Sequence, residues 1–170
     1  MSWKNSYQSL TLINKAVEDG TFYKNAEFLK AINNAKENNT KLHIWGLLSN
    51  GGVHSSNEHI YALLKLAKQE GLEKVYVHAF LDGRDVAPDS GADFVKELAD
   101  KIEEIGVGEI ATVSGRYYAM DRDKRFDRVE LAFDAIVNHK GESFECPVQY
   151  VKDSYAKETY DEFVIPGYNK

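Results

Sequence analysis

The stretch LHIWGLLSNGGVHSSNEHIYALLKLA, residues 42–67, contains the unit from which the fold is built. Its first seven residues are largely apolar and end in the turn-forming letters SNGG, a pattern typical of a buried strand. Residues 55–58, SSNE, have the spacing of a helix capping box, and apolar residues then recur every three or four positions. The stretch therefore predicts a strand, a glycine-rich loop and a helix in succession.

The same unit occurs twice more along the chain. Residues 75–81 and 110–113 have the pattern of strands, and loops at 82–88 and 114–123 separate them from helical stretches. The apolar faces of these two helices are formed by Phe94, Leu98, Ile102 and Ile105 and by Val129, Ala132, Phe133 and Ile136. Strands that alternate with helices imply right-handed crossovers and a parallel sheet. The predicted fold class is therefore α/β, with a mainly parallel sheet and helices on both faces.

The two ends of the chain add further elements. The first forty residues have the periodicity of two helices, the second of them capped by Asn25. After Gly141 the pattern predicts a helix over 147–158 and an extended piece at 163–165. The length is near that of one ordinary domain, so we treat residues 1–170 as a single domain.

Charge and composition narrow the class of protein. The formal net charge of −6 argues against nucleic acid and against a membrane as the main partner, because excess Lys and Arg hold phosphate groups. The sequence shows neither a long apolar run nor a signal-peptide core, so we expect a cytoplasmic protein. The single cysteine, Cys146, excludes an internal disulfide. We expect Cys146, Trp3 and Trp45 to be packed side chains.

The three predicted strand-to-helix loops place charged residues at one edge of the sheet. In consecutive βα units these loops emerge at the carboxyl ends of the strands, where open α/β folds bind ligands. The loops SNGGVHSS, LDGRDVAP and SGRYYAMDRDKR carry His54, Arg84, Asp85, Arg116 and Arg122. Each loop taken singly also fits a simpler interpretation, such as a surface ion pair or a solvated helix start. Together they predict a site for a small polyanionic ligand.

The residue types fit that chemistry. An arginine fork matches a carboxylate or a phosphate, and the helix that follows Gly51 and Gly52 offers unpaired N–H groups to an anion. An aspartate beside arginines stays ionised and can orient or deprotonate a hydroxyl. In the third loop we assign Arg125 and Arg128 to the solvated start of the next helix.

Metal and serine chemistry are weaker alternatives. His43, His54, His59 and His78, with Asp82 and Asp85, invite a metal-site interpretation. However, no two of these histidines have ligand spacing on one helix face, so structural roles are favoured for His43, His59, His78 and His139. The sequence has no G-x-S-x-G nucleophile elbow and no phosphate-binding P-loop.

The strings GLLSNGGVHS, HAFLDGRD and ATVSGRYYAMDRDKRFDRVE, in this order and spacing, resemble the cofactor-independent phosphoglycerate mutases. Similar strings on either side extend the resemblance from about Tyr7 to Pro166. Members of that family are glycolytic isomerases that interconvert 3-phosphoglycerate and 2-phosphoglycerate. They have a phosphatase-like domain with two manganese ions and a serine nucleophile, and an inserted phosphotransferase domain that grips the substrate. This chain resembles only the inserted domain, so the resemblance implies no cofactor in the chain itself.

The resemblance also implies roles for the loop residues. His54 contacts the phosphoryl group, while Arg84, Arg116 and Arg122 clamp the carboxylate and the phosphate of the substrate. Asp85 orients or deprotonates the glycerate hydroxyl, as the catalytic residue of this chain. A phosphoserine forms on the other domain while this domain holds the glycerate. The implied partners are therefore the two phosphoglycerates and the metal-binding domain of the same protein.

The chain departs from the family pattern in three respects. Asn50 stands where the family usually has aspartate, and Phe126 replaces the usual tryptophan. The later substrate motif NFRPDR and the metal domain are outside this sequence. We therefore expect the chain alone to fold, to bind phosphoglycerate weakly or not at all, and to lack mutase activity. The alternatives are a stand-alone module that binds small anions without catalysis and, third, a metallohydrolase.

Overall fold

The computed structural model describes residues 8–170. The strands are β1 (Leu42–Leu48), β2 (Val75–Leu81), β3 (Glu109–Gly115), β4 (Glu142–Phe144) and β5 (Gly167–Asn169). They form one sheet in the order β1-β2-β3-β5-β4. Strands β1, β2 and β3 are parallel, β5 is antiparallel to β3, and β4 is parallel to β5. The predicted mainly parallel α/β sheet is confirmed.

Helices occupy most of the chain between the strands. They are α1 (Ser9–Asp19), α2 (Ala26–Glu37), α3 (Asn57–Gln69), α4 (Gly91–Ile105), α5 (Arg116–Ala119), α6 (Phe126–Phe133) and α7 (Pro147–Tyr155). Shorter turns are 3₁₀-helical at Thr21–Lys24 and Asp161–Phe163 and π-helical at Asp134–Asn138. None of the helices within residues 8–170 is long and apolar enough to cross a membrane.

The main core lies between the sheet and the helices that follow its first strands. Many of its fully buried members come from β1, β2 and β3 and from α3, α4 and α7, among them Leu48, Val77, Leu81, Val113, Leu64, Val95, Leu98 and Val151. Burying each such side chain stabilises the fold by about 1.5–3 kcal/mol. Ala132 and Ala135 are buried outside this cluster, in the segment that packs on β3 and β5. The sheet therefore carries helices on both faces.

The helix caps agree with the sequence at α2 and differ at α3. The side-chain oxygen of Asn25 accepts hydrogen bonds from the N–H groups of Glu27 and Phe28, as predicted. At α3 the N-cap is Ser56, and its side chain makes no capping hydrogen bond. The predicted capping box from Ser55 is wrong because the helix begins one residue later than that spacing requires.

Two side chains expected to be packed are exposed. Trp45 lies on the side of β1 opposite the buried Ile44, because successive strand residues alternate, and 65% of its surface is exposed. Cys146 is an exposed free thiol that directly precedes Pro147 at the start of α7. Both predictions of packing are wrong. The third such residue, Trp3, lies outside the described residues.

His78 takes a structural role, as predicted. It is 1% exposed, with Nδ1 2.9 Å from Thr112 Oγ1 and Nε2 2.9 Å from Nδ1 of His43. Burial, aided by the neighbouring His43 and His139, lowers the pKa of His78 to about 4. The neutral ring is therefore the form that the fold accommodates.

This titration predicts a loss of stability in acid. The unfolded chain binds a proton at the ordinary histidine pKa of 6.5, whereas the folded ring binds it only near 4. Stability is therefore lost as the pH falls through 6.5. Between pH 7.5 and 4.5 we expect the unmodified chain to lose roughly 2–3 kcal/mol more than His78→Gln, by urea denaturation at both pH values. An equal loss of stability in the two proteins would contradict this account of His78.

Candidate functional site

The three loops begin at one edge of the sheet. Leu48 pairs with Leu81, and Leu81 pairs with Gly115, so the ends of β1, β2 and β3 are aligned. The first two strands are followed by loops up to the helices α3 and α4. The third continues directly into α5, so the loop predicted over 114–123 is partly wrong. Its first two residues belong to β3 and the next four form a helical turn.

Asp82, the first residue after β2, connects all three loops. Its carboxylate is buried and accepts a hydrogen bond from the hydroxyl of Ser49 at 2.7 Å and one from Arg116 Nη1 at 2.6 Å. It also accepts the backbone N–H groups of Arg84 and Asp85 at 3.2 and 3.1 Å. Burial acts to raise the pKa of Asp82, but these hydrogen bonds outweigh it and hold that pKa below its usual value. The buried carboxylate is therefore ionised at neutral pH.

The sequence reasoning considered Asp82 only as a metal ligand and missed this role. Its position directly after a buried strand was the available signal. The hydrogen bonds from Ser49 and Arg116 join residues more than thirty positions apart, and no local pattern reports them.

Three of the predicted site residues form a connected group. Asp85 Oδ2 lies 3.2 Å from Arg116 Nη1 and 3.8 Å from His54 Nε2. The side chain of Asp85 is 17% exposed and that of His54 is 54% exposed. The first loop packs closely here, because a Cβ added to Gly51 would lie 3.1 Å from Cβ of Asp85. The structure thus brings a carboxylate, a guanidinium and an accessible imidazole together.

Arginines from the second and third loops line one open cavity of about 50 Å³. They are Arg84, Arg116, Arg122 and Arg128. The cavity wall also includes Tyr117, Met120, Asp121 and Asp123. All three predicted arginines therefore face the same cavity, and Arg116 links it to Asp85 and His54.

The four arginines differ in their counter-ions. Arg84 pairs with Glu162, Arg116 with Asp82 and Asp85, and Arg128 with Asp121 and Asp123. Within residues 8–170, the exposed Arg122 makes no ion pair or hydrogen bond. Arg122 is therefore the cavity arginine whose full hydrogen-bonding capacity is open to a ligand.

Arg128 is part of the cavity and not of a solvated helix start. Its side chain is only 16% exposed, and Cζ lies 3.9 Å from the centre of the Tyr117 ring. Its Nε is buried and has no hydrogen-bond partner among the described residues. The prediction that Arg128 lies on a solvated helix start is wrong, because its side chain packs over the ring of Tyr117. Arg125, which is 54% exposed and pairs with Asp127, agrees with its assignment.

A fourth segment reaches the site from the end of the chain. In the 3₁₀ turn Asp161–Phe163, Glu162 accepts a hydrogen bond from Nε of Arg84 at 2.7 Å. The extended piece predicted at 163–165 is wrong in position. The strand β5 begins only after Pro166, which has no N–H to give to a sheet. Sequence reasoning missed Glu162 as a residue of the site.

The neighbouring Asp161 is fully buried. It accepts hydrogen bonds from the N–H of Gly91 at 2.7 Å and from the hydroxyl of Tyr155. Burial raises the pKa of this carboxyl to about 6, although both hydrogen bonds oppose the shift. Asp161 therefore anchors the turn that carries Glu162.

The converging groups suit anions. Within residues 8–170 no three His, Cys, Asp or Glu side chains come together as metal ligands. The groups that do converge are guanidinium donors, an imidazole and the carboxylate of Asp85, with Asp121 and Asp123 in the same cavity wall. Such a set can hold a small molecule with more than one negative group and place a hydroxyl beside Asp85.

The fold and the site together define an α/β domain with an arginine-lined cavity at the carboxyl edge of its parallel strands. The family model described as the BPG-independent PGAM N-terminus matches residues 13–170, and the chain belongs to this family. The family resemblance read from the sequence is thereby confirmed.

Relatives of known name support the assignment. The chain is 59% identical over 160 residues to a 2,3-bisphosphoglycerate-independent phosphoglycerate mutase of Clostridium perfringens, strain 13. It is 58% identical over 160 residues to the protein of the same name from Clostridium acetobutylicum. Each match covers 94% of this chain and 31% of the relative. The chain therefore spans less than a third of the length of these relatives.

A solved structure has the same fold. A crystal structure of Leishmania mexicana phosphoglycerate mutase, determined at low cobalt concentration, matches with a TM-score of 0.89 and 28% identity. The match covers 95% of this chain and 31% of the Leishmania chain.

Proposed function

We propose that residues 1–170 form the substrate-binding phosphotransferase domain of a 2,3-bisphosphoglycerate-independent phosphoglycerate mutase. The domain holds 3-phosphoglycerate or 2-phosphoglycerate at the three loops while the phosphoryl group moves between the two hydroxyl positions. The observation that carries this proposal is the cavity lined by Arg84, Arg116 and Arg122, beside Asp85 and His54. The serine acceptor, which becomes a phosphoserine, and the two manganese ions belong in this proposal to another domain.

Different loop residues bind different groups of the substrate. Arg122 and the outer edges of Arg84 and Arg116 donate hydrogen bonds to the carboxylate and the phosphate of the substrate. The exposed imidazole of His54 contacts the phosphoryl group at the mouth of the site. Fixed donors of this kind keep the glycerate in place between the two transfers, whereas escape of the glycerate would leave only phosphatase activity.

Asp85 is the catalytic residue in this proposal. Its carboxylate is accessible enough to meet a hydroxyl, and Arg116 Nη1 holds it in place at 3.2 Å. An ionised carboxylate can orient the glycerate hydroxyl or accept its proton. The presence of the Asp85 carboxylate beside the arginines favours a catalytic domain over the alternative, a module that only binds small anions.

A binding experiment tests the proposal. We expect 3-phosphoglycerate, titrated into the chain and followed by NMR, to shift signals of residues 49–56, 82–90 and 116–125. The dissociation constant should be on the order of millimolar, because only part of the site of a full-length mutase is present. Arg122→Ala should weaken binding about tenfold or more, while Arg125→Ala removes the same charge from an exposed position and should change it less than twofold.

The same titration separates the two functions. A phosphoglycerate site needs both negative groups, so inorganic phosphate and glycerate should each bind more weakly than 3-phosphoglycerate. Equal binding of inorganic phosphate would favour the simple anion-binding module. Signal shifts confined to other parts of the chain, or no shifts, would contradict the proposal.

A further inference from the structure

The turn Asp161–Phe163 is packed directly against the backbone of the site. A Cβ added to Gly83 would lie 2.9 Å from the nitrogen of Glu162. One added to Gly91 would lie 2.5 Å from Oδ1 of Asp161, and one added to Gly115 would overlap the Glu162 carbonyl group. The second loop, the start of α4 and the end of β3 therefore each present a glycine to this turn. Only glycine leaves room for so close an approach.

Hydrogen bonds fix the same turn from both sides. The N–H of Asp161 donates to the carbonyl of Pro88 at 2.9 Å, and the N–H of Gly115 donates to the carbonyl of Val164 at 2.8 Å. The buried carboxylate of Asp161 adds its bonds to Gly91 and Tyr155. The backbone of Glu162 is therefore held rigidly beside the cavity.

From this position Glu162 binds one edge of the Arg84 guanidinium. Its Oε1 accepts from Nε of Arg84 at 2.7 Å and also lies against Nη2. The Glu162 side chain is 16% exposed and that of Arg84 is 42% exposed. Glu162 thus occupies the Nε and Nη2 side of the Arg84 guanidinium. Arg84 lines the cavity, and its Nη1 group remains open to a ligand.

We propose that Glu162 is a positioning residue that fixes Arg84 for anion binding at the site, an inference that rests on the proposed function. A free arginine side chain has about 2 kcal/mol of rotamer entropy to lose when it is ordered. Glu162 orders Arg84 before the ligand arrives, so less of this cost falls on binding. Glu162 itself touches no substrate.

The charge of Glu162 acts in the opposite direction. A carboxylate near the cavity repels an anionic ligand and neutralises Arg84, so removing its charge favours binding. Glu162→Gln and Glu162→Ala both remove that charge, but only glutamine keeps an oxygen to accept from Nε of Arg84. The difference between these two variants therefore isolates positioning from charge.

The test is a titration of the full 170-residue chain with 3-phosphoglycerate, followed by NMR. Glu162→Gln should bind at least as tightly as the unmodified chain, and Glu162→Ala should bind about tenfold more weakly than Glu162→Gln. With Arg84→Ala added to each variant, glutamine and alanine at position 162 should give equal affinities, because the effect acts through Arg84. Far-ultraviolet circular dichroism of each variant checks that it is folded.

The inference is overturned if Glu162→Gln and Glu162→Ala bind 3-phosphoglycerate equally well while Arg84 is present. It is also overturned if their affinities still differ when Arg84→Ala is added to both. The Nε–H signal of Arg84 gives a reading that needs no ligand. It should exchange slowly with water in the unmodified chain and in Glu162→Gln, and rapidly in Glu162→Ala. If the unmodified chain fails to bind 3-phosphoglycerate, the proposed function fails, whereas equal exchange rates in all three proteins contradict the positioning role alone.

Discussion

Replacing Asp82 with alanine is expected to destabilise the chain by about 3–5 kcal/mol, because it leaves a mostly buried guanidinium without its partner. Asp82 is fully buried as a side chain, and Arg116, which it binds at 2.6 Å, is only 11% exposed. The hydroxyl of Ser49 loses its acceptor as well. The measurement is the free energy of unfolding, from urea denaturation followed by circular dichroism.

The same substitution should remove the binding of 3-phosphoglycerate. Asp82 holds the N–H groups of Arg84 and Asp85 and the side chain of Arg116, so its loss frees the second loop and the end of β3 together. Asp123→Ala is the matched control. Its carboxylate is 68% exposed and 3.5 Å from an arginine, and its loss should change stability by less than about 1 kcal/mol. Equal effects of the two substitutions would show that Asp82 is no more than a surface ion-pair partner.

Local periodicity was sufficient to predict the first half of the fold. Strands β1 and β2 have the bounds that the apolar runs indicated, and Asn25 caps α2 as its position suggested. These features depend on neighbouring residues alone, and the sequence contains that information directly. The prediction of three parallel βα units then followed from the handedness of crossovers.

The remaining features depend on contacts between distant parts of the chain. Strands β4 and β5 are three residues each, and their pairing closes one side of the sheet without any periodic signal. Glu162 lies 78 positions from Arg84, and only the fold shows that the two side chains meet. The location of the site at the carboxyl edge of the sheet was predictable from the topology. The roles of Asp82 and Glu162, which hold the site residues in place, were not. The roles assigned to His54, Asp85 and the arginines remain predictions.

Replacing Gly115 with alanine should destabilise the chain by about 3 kcal/mol and release the turn that carries Glu162. The backbone at Gly115 is extended, with φ −65° and ψ 146°, so alanine suits its conformation. The added methyl group, however, would lie 2.6 Å from the carbonyl carbon of Glu162 and 2.8 Å from the carbonyl oxygen of Asp161. These are backbone atoms in a turn fixed by hydrogen bonds, so they cannot move aside as a flexible side chain does. Overpacking of this kind costs about 1–3 kcal/mol, and a rigid neighbour places Gly115 at the upper end.

Gly46→Ala provides the control in β1. A Cβ added at Gly46 would meet nothing within 4 Å, and its backbone is that of a strand. That substitution should be neutral or stabilise the chain by up to about 1 kcal/mol, since alanine has less conformational freedom to lose on folding. Urea denaturation of both variants gives the comparison, and the Nε–H exchange rate of Arg84 reports whether the turn has moved. If Gly115→Ala is as stable as Gly46→Ala, the turn adjusts easily, and a segment that adjusts easily cannot fix Arg84.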